Sequence, residues 1–466
     1  MTLSPPIPEE IFAVPVADRW LLYAPLHRVA AVVNRAALAH LVSAAAPLSG
    51  NECAGWWRLL AEYPADLPAR RTGPPDPQFL GLITTRACNL SCRYCGFGAQ
   101  QHPSPAMPLA TAVAAVDWMA NHATRVGRPT LDIHFFGGEP MMAPEVVEVA
   151  VHRARALAAE RRLTARFEIA TNGVCGPRLA DFLGTYMDRV VLSLDGPRDI
   201  HDRHRPRDPH RGSFAAVSRT AQRLREAECA LCLRACVTAD TAPRLAQIAR
   251  WLCDRYRPAA IDFEPLQPTA PAGDADLAPP DPYVFATSFL EAQRVAADHG
   301  VRCVYSAALL AEPRLSFCPV GNDTLIVAPD GSIRGCYLRE REWQARGLDL
   351  RLGWVGADGT LTLEPSAIER LRGSAVAQPR CARCFCRWSC AGGCHVNRAA
   401  PEAAVGGDSF CIQTRLISAA QLLDQLGQTG IAKQLLGDRA AARALAVRPA
   451  DRLRDWSAVA GSMANG

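Results

Sequence analysis

GLITTRACNLSCRYC, residues 81–95, runs a short apolar segment of strand character straight into three cysteines, Cys88, Cys92 and Cys95, spaced C-x3-C-x2-C. Three thiols are an awkward number. A tetrahedral structural metal site takes four ligands, a disulfide takes two, and a nucleophile with its base needs one cysteine. Even with 18 cysteines in 466 residues, this spacing is expected by chance only about 0.03 times. The loop reads as a ligand set one donor short.

Outward from that loop, apolar runs alternate with helical patterns: GLITTR, LATAVAAVDWMANHA, LDIHFF, PEVVEVAVHRARALAAE, ARFEIATN, LADFLGTYM, RVVLSLD, SFAAVSRTAQRLREA, ALCLRACVT, RLAQIARWLCDRY and AIDFEP. Six strands separated by helices predict parallel βα units, and the right-handed crossover curls them into an α/β fold, a partial (β/α)6 TIM-like barrel over residues 78–300. Active sites belong at the carboxyl ends of such strands. The three-cysteine loop follows the first strand at that end.

Proline- and glycine-rich stretches at 64–77 and 268–282 read as linkers. Before them, residues 1–70 form an N-terminal unit: IFAVPV, RWLLYAPL and RVAAVV as a β-meander, then helical RAALAHLVSAAA and ECAGWWRLLAEY. Residues 301–411 are cysteine-rich. Residues 412–440 read as one long amphipathic helix, and 441–466 as an Arg/Ala-rich tail expected to fray.

Composition narrows the function classes. The chain is 49% hydrophobic and 21% charged, with a formal net charge of +5 carried by scattered arginines, so neither a nucleic acid nor a membrane partner is expected. MTLSPPIPEEIF lacks the basic start and apolar run of a signal peptide, and no run approaches the roughly 20 apolar residues of a membrane span. The expectation is a cytoplasmic protein whose cysteines stay reduced and serve as ligands, catalysts or core. Lys433 is the only lysine, which argues against Schiff-base chemistry and a GK[ST] phosphate loop.

A [4Fe-4S] cluster is normally held by four thiolates, so three leave one iron open to chelate a substrate or cofactor. Further along, GGEP (Gly137, Gly138, Glu139, Pro140), TNG with Asn172, and SLDG with Ser193 and Asp195 stand at the ends of strands two, three and four. Glycines there let the backbone approach a ligand, while the carboxylates and hydroxyls can grip an ammonium and a ribose. Each motif alone is an ordinary βα turn. With the three cysteines, and with Tyr94 before the last of them, the series resembles the radical SAM superfamily.

The resemblance implies that the open iron binds S-adenosylmethionine (SAM) and that its reductive cleavage yields a 5′-deoxyadenosyl radical. It also implies that Gly138 and Glu139 contact the methionyl amino end, that Ser193 and Asp195 are polar contacts to SAM, and that Arg205 or Arg234 meets its carboxylate.

Downstream, Cys318 and Cys336 precede Cys381-x2-Cys384-x5-Cys390-x3-Cys394 and then Cys411. Zinc is the competing reading of the inner four by spacing. The seven-cysteine pattern resembles the SPASM domain, which carries auxiliary [4Fe-4S] clusters. That resemblance assigns Cys318, Cys336 and Cys394 to one auxiliary cluster and Cys381, Cys384, Cys390 and Cys411 to a second. The first set is one short, and Cys303 is the expected fourth ligand, with an open iron that binds substrate as the alternative. Cys232 and Cys236 alternate in a strand and read as small buried hydrophobes; Cys386 could be a decoy ligand.

SPASM relatives act mostly on peptides and proteins. The expected function is oxidative modification of a ribosomally made precursor peptide, leader plus core, with an electron donor such as flavodoxin or ferredoxin. Formylglycine formation is the alternative, weakened by Tyr337 standing where that subgroup has an aspartate. A non-catalytic Fe–S or zinc sensor is the reading from another class. The N-terminal unit is loosely similar to leader-recognition domains, which add a peptide strand to a sheet edge; a plain cap on the barrel is the other reading.

Overall fold

In a computed structural model of the chain, residues 10–42, 51–97, 104–227, 229–267, 277–321, 323–374, 381–398, 408–447 and 451–452 are described. The N-terminal unit is the predicted meander, β1 (Phe12–Val16), β2 (Arg19–Ala24) and β3 (Val29–Val33), followed by α1 (Arg35–Val42) and α2 (Asn51–Glu62). Period-two alternation splits its apolar residues between two faces. Phe12, Val14, Leu21 and Tyr23 pack into the main core, while Ile11, Ala13, Leu22 and Ala24 pack under Leu38, Trp56 and Leu60 of the two helices.

The central block runs β4 (Leu80–Ile83), α3 (Leu109–Arg125), β5 (Thr130–Phe136), α4 (Pro144–Arg161), β6 (Thr164–Thr171), α5 (Pro177–Tyr186), β7 (Arg189–Ser193), α6 (Arg198–His204), α7 (Phe214–Glu226), β8 (Ala230–Val237), α8 (Leu245–Tyr256) and β9 (Ala260–Pro265). These are the six expected strands, paired in parallel and in sequence order. After α9 (Pro282–Asp298), a short seventh parallel strand, β10 (Arg302–Val304), extends the β9 edge.

Alternation again sets two faces. Leu131, Ile133, Ile169, Leu192, Leu233, Ile261 and Phe263 pack under the helices. On the concave face the register stacks residues in levels: His134, Glu168 and Arg189 lowest; then Ala170, Val191, Cys232 and Ala260; then Ser193, Arg234 and Asp262; and Cys236 with Glu264 at the carboxyl ends.

The cysteine-rich unit continues the same sheet. β11 (Leu325–Val327) pairs in parallel with β4, and β12 (Ser332–Arg334), β13 (Arg351–Val355) and β14 (Leu361–Leu363) follow antiparallel. Short helices α10 (Glu340–Gln344), α11 (Pro365–Ser374), α12 (Arg387–Cys390) and α13 (His395–Arg398) complete it.

The C-terminal helix departs from the expectation. It is two helices, α14 (Ser409–Gln425) and α15 (Thr429–Gly437), because Gly427 takes φ +70° and its N–H and that of Gln428 close onto Asp424 and Leu423 carbonyls. The start of the tail is also structured. α16 (Arg439–Val447) buries Ala442 and Leu445 in the main core, and β15 (Asp451–Arg452) pairs with β1. Residues 453–466 lie outside the described residues.

Candidate active site and thiol clusters

The loop after β4 is fixed by backbone contacts before any ligand enters. Ser91 and Arg93 N–H groups donate to the Pro206 and His204 carbonyls, and Cys95 N–H to Cys92 O. This brings the Cys88, Cys92 and Cys95 thiols into mutual electrostatic range. Burial pushes the Cys88 and Cys92 thiols up to about 11 and about 12, so a ligated metal is what would hold them as thiolates. Asn172 Nδ2 stands 3.6 Å from Cys88 Sγ and donates to Asn89 Oδ1 at 2.9 Å.

The GGEP glycines are needed for a reason that the sequence did not show. A Cβ on Gly137 would stand 2.3 Å from Thr85 O, and one on Gly138 would stand 2.3 Å from Ala87 O. What the backbone approaches here is the cysteine loop itself. Gly138 and Glu139 N–H groups donate to Thr85 and Ala87 carbonyls. Glu139 is buried, and its carboxylate accepts from Thr171 Oγ1 (2.7 Å), Asn172 N (2.6 Å) and Met141 N (3.0 Å). Three donors occupy most of that carboxylate's acceptor sites; Pro140 O accepts from Thr84 Oγ1.

Asp195 is likewise a keystone. It is 2% exposed and accepts from Tyr94 Oη (2.6 Å), Arg205 Nε (3.1 Å) and Cys236 N (3.0 Å), with His204 Nδ1 at 3.3 Å. Arg205 and the nearby imidazoles hold the carboxyl below its ordinary range despite burial. The largely buried Arg205 guanidinium, 11% exposed, also lies over the Tyr94 ring. Arg234 differs: its side chain is 47% exposed on the concave face and ion-paired to Asp262 at 3.2 Å. Ser193 sits level with it.

Downstream, the thiols sort into two groups. Cys318, Cys336 and Cys394 are electrostatic neighbours. Cys381, Cys384, Cys390 and Cys411 line one cavity together with Cys386, Arg387 and Arg415. Cys384 is held below the ordinary thiol value by hydrogen bonding from the Cys386 thiol and by the Arg415 guanidinium.

Cys303 is not brought to the first group. It pairs with Ile261 in parallel register, so it faces the helices, in the core beside Cys253 and Asp262. This removes it as the fourth ligand among the described residues.

Arg86 spans the gap between the two regions. Its Nη1 donates to Tyr337 O (2.6 Å), Cys336 is nearby, and its Nη2 is buried without a hydrogen-bond partner among the described residues. Tyr337 is filled as well, its ring on Phe136 and its hydroxyl over Gly81.

All-thiol sets of three and four are a donor type that iron–sulfur clusters use, and a tetrahedral zinc site would take four ligands from one such set. Sequence reasoning missed Cys236 and Glu264; the alternation in ALCLRACVT and AIDFEP carried that signal, since it puts both on the concave face at the strand ends.

Residues 82–238 match the model of the radical SAM superfamily. An AdoMet-dependent heme synthase of Oleidesulfovibrio alaskensis is 28% identical over 204 residues, 43% of this chain and 48% of that protein. A PqqA peptide cyclase of Gluconobacter oxydans is 31% identical over 127 residues, 26% of this chain and 32% of that protein. The chain thus spans about half and about a third of these relatives. In fold it is similar to anSMEcpe solved with AdoMet and a Cp18Cys peptide, with a TM-score of 0.59 at 19% identity, covering 78% of this chain and 100% of that one. Strand order, the three-cysteine loop at the carboxyl ends and the sequence match agree: residues 82–238 are a radical SAM domain.

Proposed function

We propose that the chain is a SAM-dependent radical enzyme that oxidatively modifies a ribosomally made peptide, joining a carbon to a second group in the same chain. The observation that carries this is the arrangement of thiols, three at the barrel mouth and sets of three and four in the sheet's continuation. That pattern suits one SAM-binding [4Fe-4S] cluster held by Cys88, Cys92 and Cys95 and two auxiliary clusters. When bound and reduced, such a cluster with SAM supplies a 5′-deoxyadenosyl radical able to take hydrogen from an unactivated C–H bond.

The chain's own residues do the positioning. Glu139 and Asn172 brace the first thiol, Asp195 locks Tyr94 and Arg205 behind the loop, and Arg234 presents a partly open guanidinium on the concave face that would suit SAM's carboxylate. The peptide reading draws on the named peptide cyclase and on the N-terminal meander, whose β3 edge has no partner strand among the described residues. A strand added there would bind a leader by main-chain hydrogen bonds. The half-buried Tyr337 gives formylglycine chemistry no carboxylate. The heme synthase likeness favours a second reading, a tetrapyrrole substrate.

Anaerobically reconstituted protein should carry about twelve irons for three cubane clusters and release 5′-deoxyadenosine with dithionite. Cys88→Ala with Cys92→Ala and Cys95→Ala should abolish that release and keep the auxiliary iron. Release that survives the triple change removes the assignment of the SAM loop. Stimulation by a porphyrin precursor rather than a precursor peptide selects the second reading.

A further inference from the structure

A cross-linking reaction needs a base, and the chain's other acids near the site are unsuited. Glu139 is filled by three donors and Asp195 by Arg205, Tyr94 and a backbone N–H. Asp262 is ion-paired to Arg234 one level lower. Glu168 lies at the opposite end of the strands, paired with Arg189.

Glu264 is different in three respects. It stands in the last concave level at the carboxyl end of β9, in register with Cys236. The Cys236 N–H is bonded to Asp195, which holds Tyr94 of the cysteine loop, so one flank of Glu264 adjoins the SAM side. On the other flank Ser306 N donates to Glu264 Oε1 at 3.1 Å, and Ser306 O accepts from Arg314 Nη2 at 2.6 Å. Arg314 also donates to the carbonyls of Phe317 and Ser389, next to Cys318 and Cys390 of the two auxiliary sets. Among the described residues, the hydrogen bonds to this carboxylate come from Ser306, an uncharged partner.

We propose that Glu264 is the general base of the modification, which rests on the peptide reading above. A hydrogen atom leaves the substrate carbon to 5′-deoxyadenosine. The carbon radical then bonds to a second substrate group that carries an O–H, S–H or C–H. That group's proton goes to the Glu264 carboxylate, and the remaining electron goes to an auxiliary iron–sulfur cluster as one-electron oxidant. The sum is a two-electron oxidation with the proton and electron leaving on the same side of the site. Burial raises this carboxyl above its ordinary value, against the lowering by Arg234 and Ser306, with Asp262 also facing it; Cys236, Tyr305 and the Arg314 guanidinium are the other titratable neighbours. A raised carboxyl is the better acceptor.

The test uses the reconstituted full chain with a synthetic candidate precursor peptide, leader plus core, deuterated at the residue to be modified. Glu264→Gln keeps an oxygen for Ser306 N–H. It should still pass deuterium to 5′-deoxyadenosine, while cross-linked peptide per 5′-deoxyadenosine falls at least 100-fold. Glu264→Asp should recover part of that ratio. The wild-type ratio should fall on acidification, and the residual Gln ratio should be flat. A Gln ratio within twofold of wild type overturns the inference. Loss of deuterium transfer and of product together also overturns it, by making Glu264 structural. A wild type that leaves this peptide unchanged in mass defeats the peptide reading, and this proposal with it.

Discussion

A methyl on Gly138 would meet the carbonyls of Ala87 and Arg86 at 2.3 and 2.5 Å, both backbone atoms that cannot swing aside. Gly138→Ala therefore has to move the GGEP turn or the start of the cysteine loop. The expected outcome is loss of about four irons per chain with retained auxiliary iron and a lowered melting temperature; full iron content would show that the two backbones can part. His201, behind the same loop, gives a pH signature. It accepts from Asp195 N at Nδ1 and faces Ser213 Oγ at Nε2, and burial holds it down to about 4. The unfolded chain protonates it near 6.5, so its neutral native form contributes full stability above that value. The contribution shrinks as pH falls from about 6.5 to about 4, by about 3 kcal/mol at most. Urea midpoints at pH 7 and pH 5 should drop more for wild type than for His201→Gln. Equal drops would remove His201 as the source.

At the scale of elements, β4 to β9 were legible because each apolar run of strand character is separated from the next by a helix-period pattern, and the motifs fall where strands end. The three-residue strands β11, β12 and β14 were not, since three residues give period-two alternation too little length to show. Cys303 failed for a related reason: its fifteen-residue spacing from Cys318 is readable, but the face it occupies is decided by its pairing, from β10, with Ile261 of β9, which sequence does not carry. That face makes a prediction. Cys303→Ala should leave iron content unchanged and cost about 1 kcal/mol as a small core truncation. Cys394→Ala, in the first auxiliary group, should lose auxiliary iron. Iron loss in the Cys303 variant, read by iron assay on anaerobically purified protein, would restore it as a ligand. The helix after residue 408 shows the converse limit, because its amphipathic period runs through the break and only the positive φ of Gly427 reveals two helices.

For the whole molecule, the barrel and the cysteine-rich unit are one structure because β11 hydrogen-bonds to β4 in parallel register. A buried polar knot reinforces that seam. Arg372 of α11 pairs with Asp323 just before β11, at 6% and 1% side-chain exposure, and donates to Gly73 O in the first linker. Asp323 accepts from Asp76 N, and Asp76 in turn meets His122 and Arg128 at the end of α3. Removing one member of a buried charge pair leaves the other unpaired and costs about 3–5 kcal/mol, a large share of the 5–15 kcal/mol typical of a folded domain. Arg372→Ala should therefore lower one shared thermal transition of the reconstituted protein, because β4 and β11 cannot separate without exposing both edges. Calorimetry showing a barrel transition that stays in place while a second one falls would mean that the seam is mechanically silent.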